Sequence, residues 1–305
     1  MASQIHLRAG RKVSFPHGNA AEPPSLTMHS DVTSQEISGQ DMPEKNAAKS
    51  STRPGPHLIG MLLFAWSWIV AGGLLLFFAA PTLLIGSFFE RRKRQDWIYW
   101  WADWGARNWL RLSGVKVRVK GREHLDPNQT YVFVSNHQSY LDAGPLFAFT
   151  GRRVGAVAKK ELLNAPILGY GMGFVNVIAI DRSNRDRAVE TLKIATDLLR
   201  SGVSFIVCPE GTRARPGEML PFKKGAFHIA VQAGVPIAPI ALKNSDVLMG
   251  KGRGEAWPGT IEMVLLPPVA TSQVKTDEDL DELVANVQQM IMNEIGIEKL
   301  SERKK

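Results

Sequence analysis

The feature that most constrains the fold of this chain is an uninterrupted apolar segment. Residues 58–89 contain no charged side chain over 32 positions. As an α-helix this segment would extend about 48 Å, whereas the hydrocarbon core of a bilayer is about 30 Å thick. We therefore expect one tilted membrane span, or a span followed by a bent interfacial piece that begins near Pro81. A helix buried wholly in a protein core is the less favoured alternative, because such helices seldom run so long without charge.

The residues after this segment predict its orientation. Residues 90–94 carry four cations against one acid, whereas Lys49 and Arg53 are the main cations before it. By the positive-inside rule, the C-terminal side faces the cytoplasm. Five tryptophans follow on one predicted helical face: Trp97, Trp100, Trp101, Trp104 and Trp109. Two interpretations remain open, a helix lying at the membrane surface or an aromatic face buried against the folded domain.

The chain divides into three predicted regions. Residues 1–56 are rich in Ser, Pro, Gly and charge, which predicts a disordered tail and leaves an organelle transit peptide as the less favoured alternative. Residues 57–113 are the membrane-spanning segment and the interfacial Trp-rich helix. Residues 114–305 show short β-branched runs between helical periods, which predicts an α/β domain with a mixed sheet flanked by helices. We expect strands at 115–119, 131–135, 154–158, 177–181, 203–207, 237–242 and 261–266, and helices near 187–200, 223–233 and 277–295.

The charge and the rarer residues narrow the possible partners. Lys and Arg number 37 against 29 acids, a net charge of +8, which favours anionic partners such as phosphates or an acidic membrane surface. The aromatic residues lie beside the apolar segment instead of alternating with cations, so we expect no nucleic-acid partner. The single Cys208 allows no intramolecular disulfide. The seven His residues show no His-Glu-x-x-His spacing, so we expect no metal site.

His137 and Asp142 are the first candidates for chemistry. His137 directly follows an apolar predicted strand, and the carboxyl ends of strands are where α/β folds usually bind ligands. A helix starting near Ser139 would let the Asp142 carboxylate reach one imidazole nitrogen while the other removes a proton. The alternative is a structural His–Asp pair.

Two further strand ends present polar residues. Residues 208–213, Cys-Pro-Glu-Gly-Thr-Arg, follow the predicted strand 203–207 and expose Glu210 and Arg213. The guanidinium of Arg213 is a planar fork of donors suited to a phosphate. Asp181 and Arg182 end another strand. Three strand ends with polar chemistry can converge on one crevice.

Four ordered blocks resemble those of the glycerolipid acyltransferase family, in particular its 1-acyl-glycerol-3-phosphate acyltransferases. The resemblance covers about residues 115–270. The blocks are Asn136-His137-x-Ser139-x-x-Asp142, Ile178-x-Ile180-Asp181-Arg182, Pro209-Glu210-Gly211-Thr212-Arg213 and Val235-Pro236-Ile237-Ala238-Pro239-Ile240.

The resemblance implies roles for individual residues. His137 would be the general base and Asp142 its orienting partner. The acceptor-phosphate region would comprise Lys159, Arg182, Glu210, Gly211, Thr212 and Arg213. Residues 235–240 would shape the acyl or thioester side. The backbone amides after His137 are candidates for stabilising the oxyanion. Ser139 lacks a Gly-x-Ser-x-Gly elbow, and its role would be structural.

The resemblance also implies a reaction. A fatty acyl group would pass from acyl-CoA or acyl-carrier protein to the sn-2 hydroxyl of 1-acyl-glycerol-3-phosphate, giving phosphatidic acid, with no cofactor beyond the donor. The expected partners are membrane lipids and the acyl thioester donor, and the enzyme would be membrane-anchored with its catalytic domain on the cytoplasmic face, the inner membrane in a bacterium. The alternatives are another acceptor (a lyso-aminolipid, another lysophospholipid or glycerol 3-phosphate), a hydrolase, or a non-catalytic membrane lipid binder.

Overall fold

The computed structural model describes residues 55–86, 88–159, 176–180 and 185–297. Most of the predicted tail, residues 1–54, lies outside the described residues. The helices within the described ranges are α1 (His57–Leu74), α2 (Ala80–Gly86), α3 (Arg91–Leu112), α4 (Ala143–Ala148), α5 (Arg185–Arg200), α6 (Gly225–Ala233), α7 (Ser245–Met249) and α8 (Asp277–Ile295). The strands are β1 (Val115–Lys120), β2 (Val132–Ser135), β3 (Val154–Lys159), β4 (Val177–Ile180), β5 (Ser204–Val207), β6 (Ile237–Lys243) and β7 (Gly259–Leu265).

The apolar segment forms one continuous helix through Pro81. A π-helical turn, Leu75–Ala79, joins α1 to α2, and the Ala80 N–H donates to the Leu75 carbonyl five residues earlier. This wider turn lies just before the proline, which has no N–H to give to the helix. Within the described ranges His57–Gly86 is the one helix long and apolar enough to cross a membrane, and its length of 30 residues agrees with the predicted span. We call it the apolar helix.

The tryptophan face of α3 packs on the apolar helix. Phe78 lies 4.9 Å from Trp104 between ring centroids, and the Trp97 indole N–H donates to the Thr82 carbonyl at 3.2 Å. The opposite face of α3 contacts the sheet domain, where Tyr99 stacks on Phe147 with ring centroids 5.6 Å apart. Four indoles of this face, those of Trp97, Trp101, Trp104 and Trp109, are partly buried and contact the apolar helix, whereas Trp100 is 57% exposed. The main partner of the face is therefore the apolar helix, which neither interpretation from the sequence predicted.

The sheet has seven strands within the described residues, in the order β1-β7-β6-β2-β5-β3-β4. Each neighbouring pair is parallel except β6 and β7, which are antiparallel. The mixed α/β sheet predicted from the sequence is confirmed, and each predicted strand is present to within two residues. Because β6, β2, β5, β3 and β4 run the same way, their carboxyl ends share one edge.

Alternating side chains bury both faces of the sheet. In β2, Val132 and Val134 point into one core with residues of α5, α6 and α8, whereas Phe133 points into a second core with residues of α3, α4 and α7. All four residues of β2 are buried, as expected for a central strand covered on both sides. The strand is thus rigidly held where its carboxyl end begins the next loop.

The start of the apolar helix is joined to the sheet domain. The Ala256 N–H donates to the Gly60 carbonyl at 2.9 Å, and His57 hydrogen-bonds the buried carboxylate of Glu255. A β-carbon on Gly60 would lie 2.8 Å from the Trp257 ring, so only glycine permits this close approach. We call these contacts the Gly60 junction.

Candidate active site

Two loops meet at the shared edge of the sheet. Strands β2 and β5 are neighbours, with Val134 opposite Val207, so the loops that follow them start side by side. The Ala214 N–H donates to the His137 carbonyl at 2.8 Å and joins the two loops directly. The order of the strands in the sheet therefore brings together the block that contains His137 and the block that contains Arg213.

His137 and Asp142 are in direct contact. The Asp142 Oδ2 atom accepts from His137 Nδ1 at 2.8 Å, and the Asp142 side chain is 1% exposed against 28% for His137. Because the carboxylate holds the proton on Nδ1, the Nε2 atom is the nitrogen that can accept a proton. The arrangement has the geometry of an oriented general base.

The same carboxylate oxygen closes the turn between the two residues. Gln138 and Ser139 each donate a backbone N–H to Asp142 Oδ2 at 2.8 Å, and the Tyr140 N–H donates to the Met249 carbonyl at 3.3 Å. The sequence offered these amides as candidates for stabilising the oxyanion, but their N–H groups already donate to Asp142 and Met249. The Ser139 hydroxyl donates to the Met249 carbonyl at 2.8 Å, which is a structural role.

Glu210 was predicted to be exposed by the turn after β5, but the structure buries it. Its carboxylate is 3% exposed and accepts from the His137 N–H at 2.7 Å and the Leu220 N–H at 2.9 Å. Burial raises the pKa of Glu210 to about 7, although the two backbone N–H groups act to lower it. A buried carboxyl group engaged in this way supports the His137 backbone. The sequence held no signal for this role.

Gly211, Thr212 and Arg213 form the turn after β5. Gly211 has a φ of +74°, a left-handed conformation that favours glycine, and Thr212 is exposed. The Arg213 guanidinium carbon lies 3.6 Å from the centroid of the Tyr140 ring. Lys251, which the sequence analysis missed, donates its ammonium to the Arg213 carbonyl at 2.6 Å. This part of the edge is therefore cationic and next to His137.

The two remaining predicted phosphate residues are only partly described. Lys159 is the last residue of β3, so its backbone lies at the same sheet edge, but its side chain lies outside the described set. Arg182 is also outside it, two residues beyond the end of β4. Strand β4 is three positions from β2, which is about 14 Å at the usual strand spacing.

The fourth block supports the site from within the sheet. Strand β6 pairs with β2, and its first six residues are buried. The buried Asn136 amide donates to the Leu242 carbonyl at 2.9 Å and accepts from the Leu242 N–H at 2.8 Å. Residues 235–240 were expected to shape the acyl or thioester side, but residues 237–240 of this block pack in the core.

Comparisons with known proteins agree with this architecture. The family model described as Acyltransferase matches residues 116–243. The mouse 1-acyl-sn-glycerol-3-phosphate acyltransferase alpha is 42% identical over 169 residues, which is 55% of this chain and 59% of the mouse protein. The chain thus spans about three fifths of the length of that relative.

Two longer matches extend beyond the sheet domain. The chloroplastic 1-acyl-sn-glycerol-3-phosphate acyltransferase BAT2 of Brassica napus is 30% identical over 254 residues, covering 82% of this chain and 70% of its own length. The crystal structure of the 1-acyl-sn-glycerophosphate acyltransferase PlsC from Thermotoga maritima superposes with a TM-score of 0.67 at 25% identity, covering 78% of this chain and 97% of that one. The chain therefore belongs to the glycerolipid acyltransferase family.

Proposed function

We propose that this protein transfers a fatty acyl group from an acyl thioester to the sn-2 hydroxyl of 1-acyl-glycerol-3-phosphate, forming phosphatidic acid. The observation that carries the proposal is the 2.8 Å contact between His137 Nδ1 and Asp142 Oδ2 beside Arg213. The names of the relatives from mouse and Brassica napus point to the same acceptor.

The reaction proceeds by direct transfer. His137 Nε2 takes the proton of the sn-2 hydroxyl as its oxygen attacks the thioester carbonyl carbon. The Asp142 carboxylate stabilises the imidazolium that forms. When the tetrahedral intermediate collapses, the carbon–sulfur bond breaks and the imidazolium returns its proton to the leaving thiolate. The products are phosphatidic acid and a free thiol, with His137 neutral again.

The acceptor is recognised through its phosphate. Arg213 offers several N–H donors to a phosphate, and the Lys251 ammonium beside it adds positive charge. Lys159 and Arg182 are proposed to contribute as well. Acceptors that lack a phosphate are therefore expected to bind weakly.

The apolar helix holds the active site beside the lipid that supplies the acceptor. Its outer side chains are strongly exposed, as at Leu62 (62%) and Phe77 (71%), which suits a lipid environment. The cations after residue 89 favour a cytoplasmic position for the sheet domain, where the acyl thioester is soluble. Membrane lipids and the acyl donor, acyl-CoA or acyl-carrier protein, are thus the proposed partners.

The test is an acyl-transfer assay with the purified full chain in detergent micelles. Labelled acyl-CoA and acyl-carrier protein are each offered with 1-acyl-glycerol-3-phosphate, glycerol 3-phosphate, a lyso-aminolipid and 1-acylglycerol. We expect phosphatidic acid as the main product with one of the donors. The His137→Ala variant is expected to lose at least a thousandfold in rate while keeping its melting temperature, because His137 is half-buried and serves chemistry.

Two results would overturn the proposal. One is a preference for an acceptor other than 1-acyl-glycerol-3-phosphate with both donors. The other is sustained transfer by His137→Ala, which would remove the general base from the mechanism.

A further inference from the structure

We propose that Tyr140 is a positioning residue that aims the Arg213 guanidinium at the acceptor phosphate, and that the apolar helix fixes the Tyr140 ring. This inference rests on the proposed function and adds to it a link between the membrane segment and acceptor recognition.

The contact between Arg213 and Tyr140 is close and face-on. The guanidinium carbon lies 3.6 Å from the ring centroid, well inside the range of about 6 Å over which such a cation is attracted to the ring face. The five N–H donors of arginine lie in the guanidinium plane, so a ring against its face leaves them available. Tyr140 therefore orients the cation without occupying the groups that bind phosphate.

Other contacts leave the Arg213 charge free for a ligand. Within the described ranges no carboxylate forms an ion pair with Arg213. Its backbone is fixed by the Lys251 ammonium on its carbonyl at 2.6 Å, and the next residue, Ala214, is held to His137. The side chain takes its direction from the Tyr140 ring.

The Tyr140 ring is itself held by two aromatic residues of the apolar helix. Phe64 and Trp68 meet it edge-on, with ring centroids 5.9 Å and 5.5 Å away, and lie 6.2 Å from each other. Edge-to-face contacts at these distances stabilise one ring orientation. We call Phe64, Trp68 and Tyr140 the aromatic platform. Trp68 is 45% exposed, so the platform lies at the exposed surface of the apolar helix.

The platform predicts which kinetic constant responds to its loss. Without the ring, Arg213 samples more rotamers, and binding of the acceptor must order it. We expect Tyr140→Leu to raise KM for 1-acyl-glycerol-3-phosphate about tenfold with KM for the acyl donor unchanged. Tyr140→Phe keeps the ring face and is expected to stay within about twofold of the wild type.

The experiment compares four variants of the full chain in mixed micelles, with initial rates measured against each substrate separately. Tyr140→Leu and Tyr140→Phe test the ring. Trp68→Leu tests the support from the apolar helix, with an expected rise in acceptor KM of about threefold. Trp66→Leu is the matched control, because Trp66 lies on the same helix with a similar exposure of 48% and donates its indole N–H to the Leu112 carbonyl, away from the platform. It is expected to leave both KM values unchanged.

A double-mutant cycle tests whether Tyr140 acts through Arg213. In an Arg213→Ala background, Tyr140→Leu is expected to raise the acceptor KM no further. If Tyr140→Leu raised the acceptor KM by the same factor in the wild-type and Arg213→Ala backgrounds, the inference would be overturned. A Tyr140→Leu protein with the wild-type acceptor KM would overturn it as well. An equal rise in both substrates' KM values, not restored by Tyr140→Phe, would show a structural role and also overturn it.

The wild-type control in the same assay separates this inference from the proposed function. A wild type that does not acylate 1-acyl-glycerol-3-phosphate contradicts the proposed function itself. A wild type that does, together with a Tyr140→Leu variant of unchanged acceptor KM, contradicts only the role of the platform.

Discussion

Replacing Asp142 by Asn removes one charge and leaves the shape of the turn nearly unchanged. In the wild type, Asp142 Oδ2 accepts from His137 Nδ1 and from two backbone N–H groups, all at 2.8 Å. The other oxygen, Oδ1, is buried and has no hydrogen-bond partner among the described residues. An asparagine whose carbonyl takes the position of Oδ2 must bury its NH₂ group at that unpartnered position.

The structure gives the size of both effects. At 2.8 Å and an effective dielectric constant of about 20, a carboxylate and an imidazolium attract by about 6 kcal/mol, and solvent at the half-buried His137 reduces this. We expect about 4 kcal/mol to be lost from the transition state, which is about a thousandfold in rate. The buried NH₂ group and the weaker bonds to a neutral acceptor should lower the free energy of unfolding by about 2 kcal/mol.

The assay pairs single-turnover acyl transfer with chemical denaturation, and Asp142→Ala serves as the comparison. The alanine variant leaves two buried backbone N–H groups without an acceptor, so it should lose about 2 to 6 kcal/mol of stability while its rate falls about as far as that of Asp142→Asn. A folded Asp142→Asn protein that keeps more than a tenth of the wild-type rate would refute the orienting role.

Three further changes test other parts of the structure. Burial raises the pKa of Glu210 to about 7 from its usual 4.5. Between these two pH values the folded chain therefore holds a proton that the unfolded chain has lost. The free energy of unfolding falls by about 3 kcal/mol as the pH rises through this range. Glu210→Gln should abolish that slope in denaturation curves measured from pH 4 to 8, and an unchanged slope would contradict the assignment. Arg213→Lys should raise the acceptor KM about tenfold in initial-rate assays, since an ammonium lacks the planar fork, with the donor KM as the internal control. Gly121→Ala should lower stability by about 3 kcal/mol in thermal melts, because its β-carbon would lie 1.9 Å from the Leu265 carbonyl oxygen at a φ of +78°. Gly202→Ala, at a φ of +95° in open space, is the matched control and should cost about 1 kcal/mol, so equal losses would argue against the clash.

Hydrophobic patterning was sufficient to predict where the strands lie in the sequence. Each strand of the domain is a short β-branched run between Gly, Pro or polar residues, and such runs need no partner information to be recognised. The sequence also predicted that the loops after β2 and β5 carry the chemistry, because both follow buried strands. Their adjacency depends on strand order, which local patterns do not encode.

The roles of buried polar groups could not be predicted in the same way. The sequence predicts Glu210 as an exposed residue of a turn. Its carboxylate instead accepts the backbone N–H groups of His137 and Leu220, and it thereby holds the His137 backbone in place. The amides after His137 were candidates for stabilising the oxyanion, but the Asp142 side chain accepts from those of Gln138 and Ser139. Such assignments follow from which donor lies nearest in space, and that is decided by long-range packing.

The indole face of α3 shows the same limit. The spacing of the tryptophans predicted one aromatic face and left two possible partners for it, the membrane surface and the folded domain. The structure adds a third surface, the apolar helix, whose π-helical turn brings Phe78 against Trp104. The spacing of the tryptophans shows that they share one helical face, but it does not show which helix packs on that face.

The Gly60 junction has a practical consequence for anyone who wishes to work with a water-soluble version of this protein. Deleting the apolar helix would remove Gly60 from the Trp257 ring and His57 from the Glu255 carboxylate, side chains that are now 7% and 1% exposed. It would also take away Phe64 and Trp68, the two rings of the aromatic platform that hold Tyr140. We therefore expect the truncated protein to aggregate and to be poorly active for reasons other than the loss of its membrane segment. Detergent extraction of the intact chain is the better route.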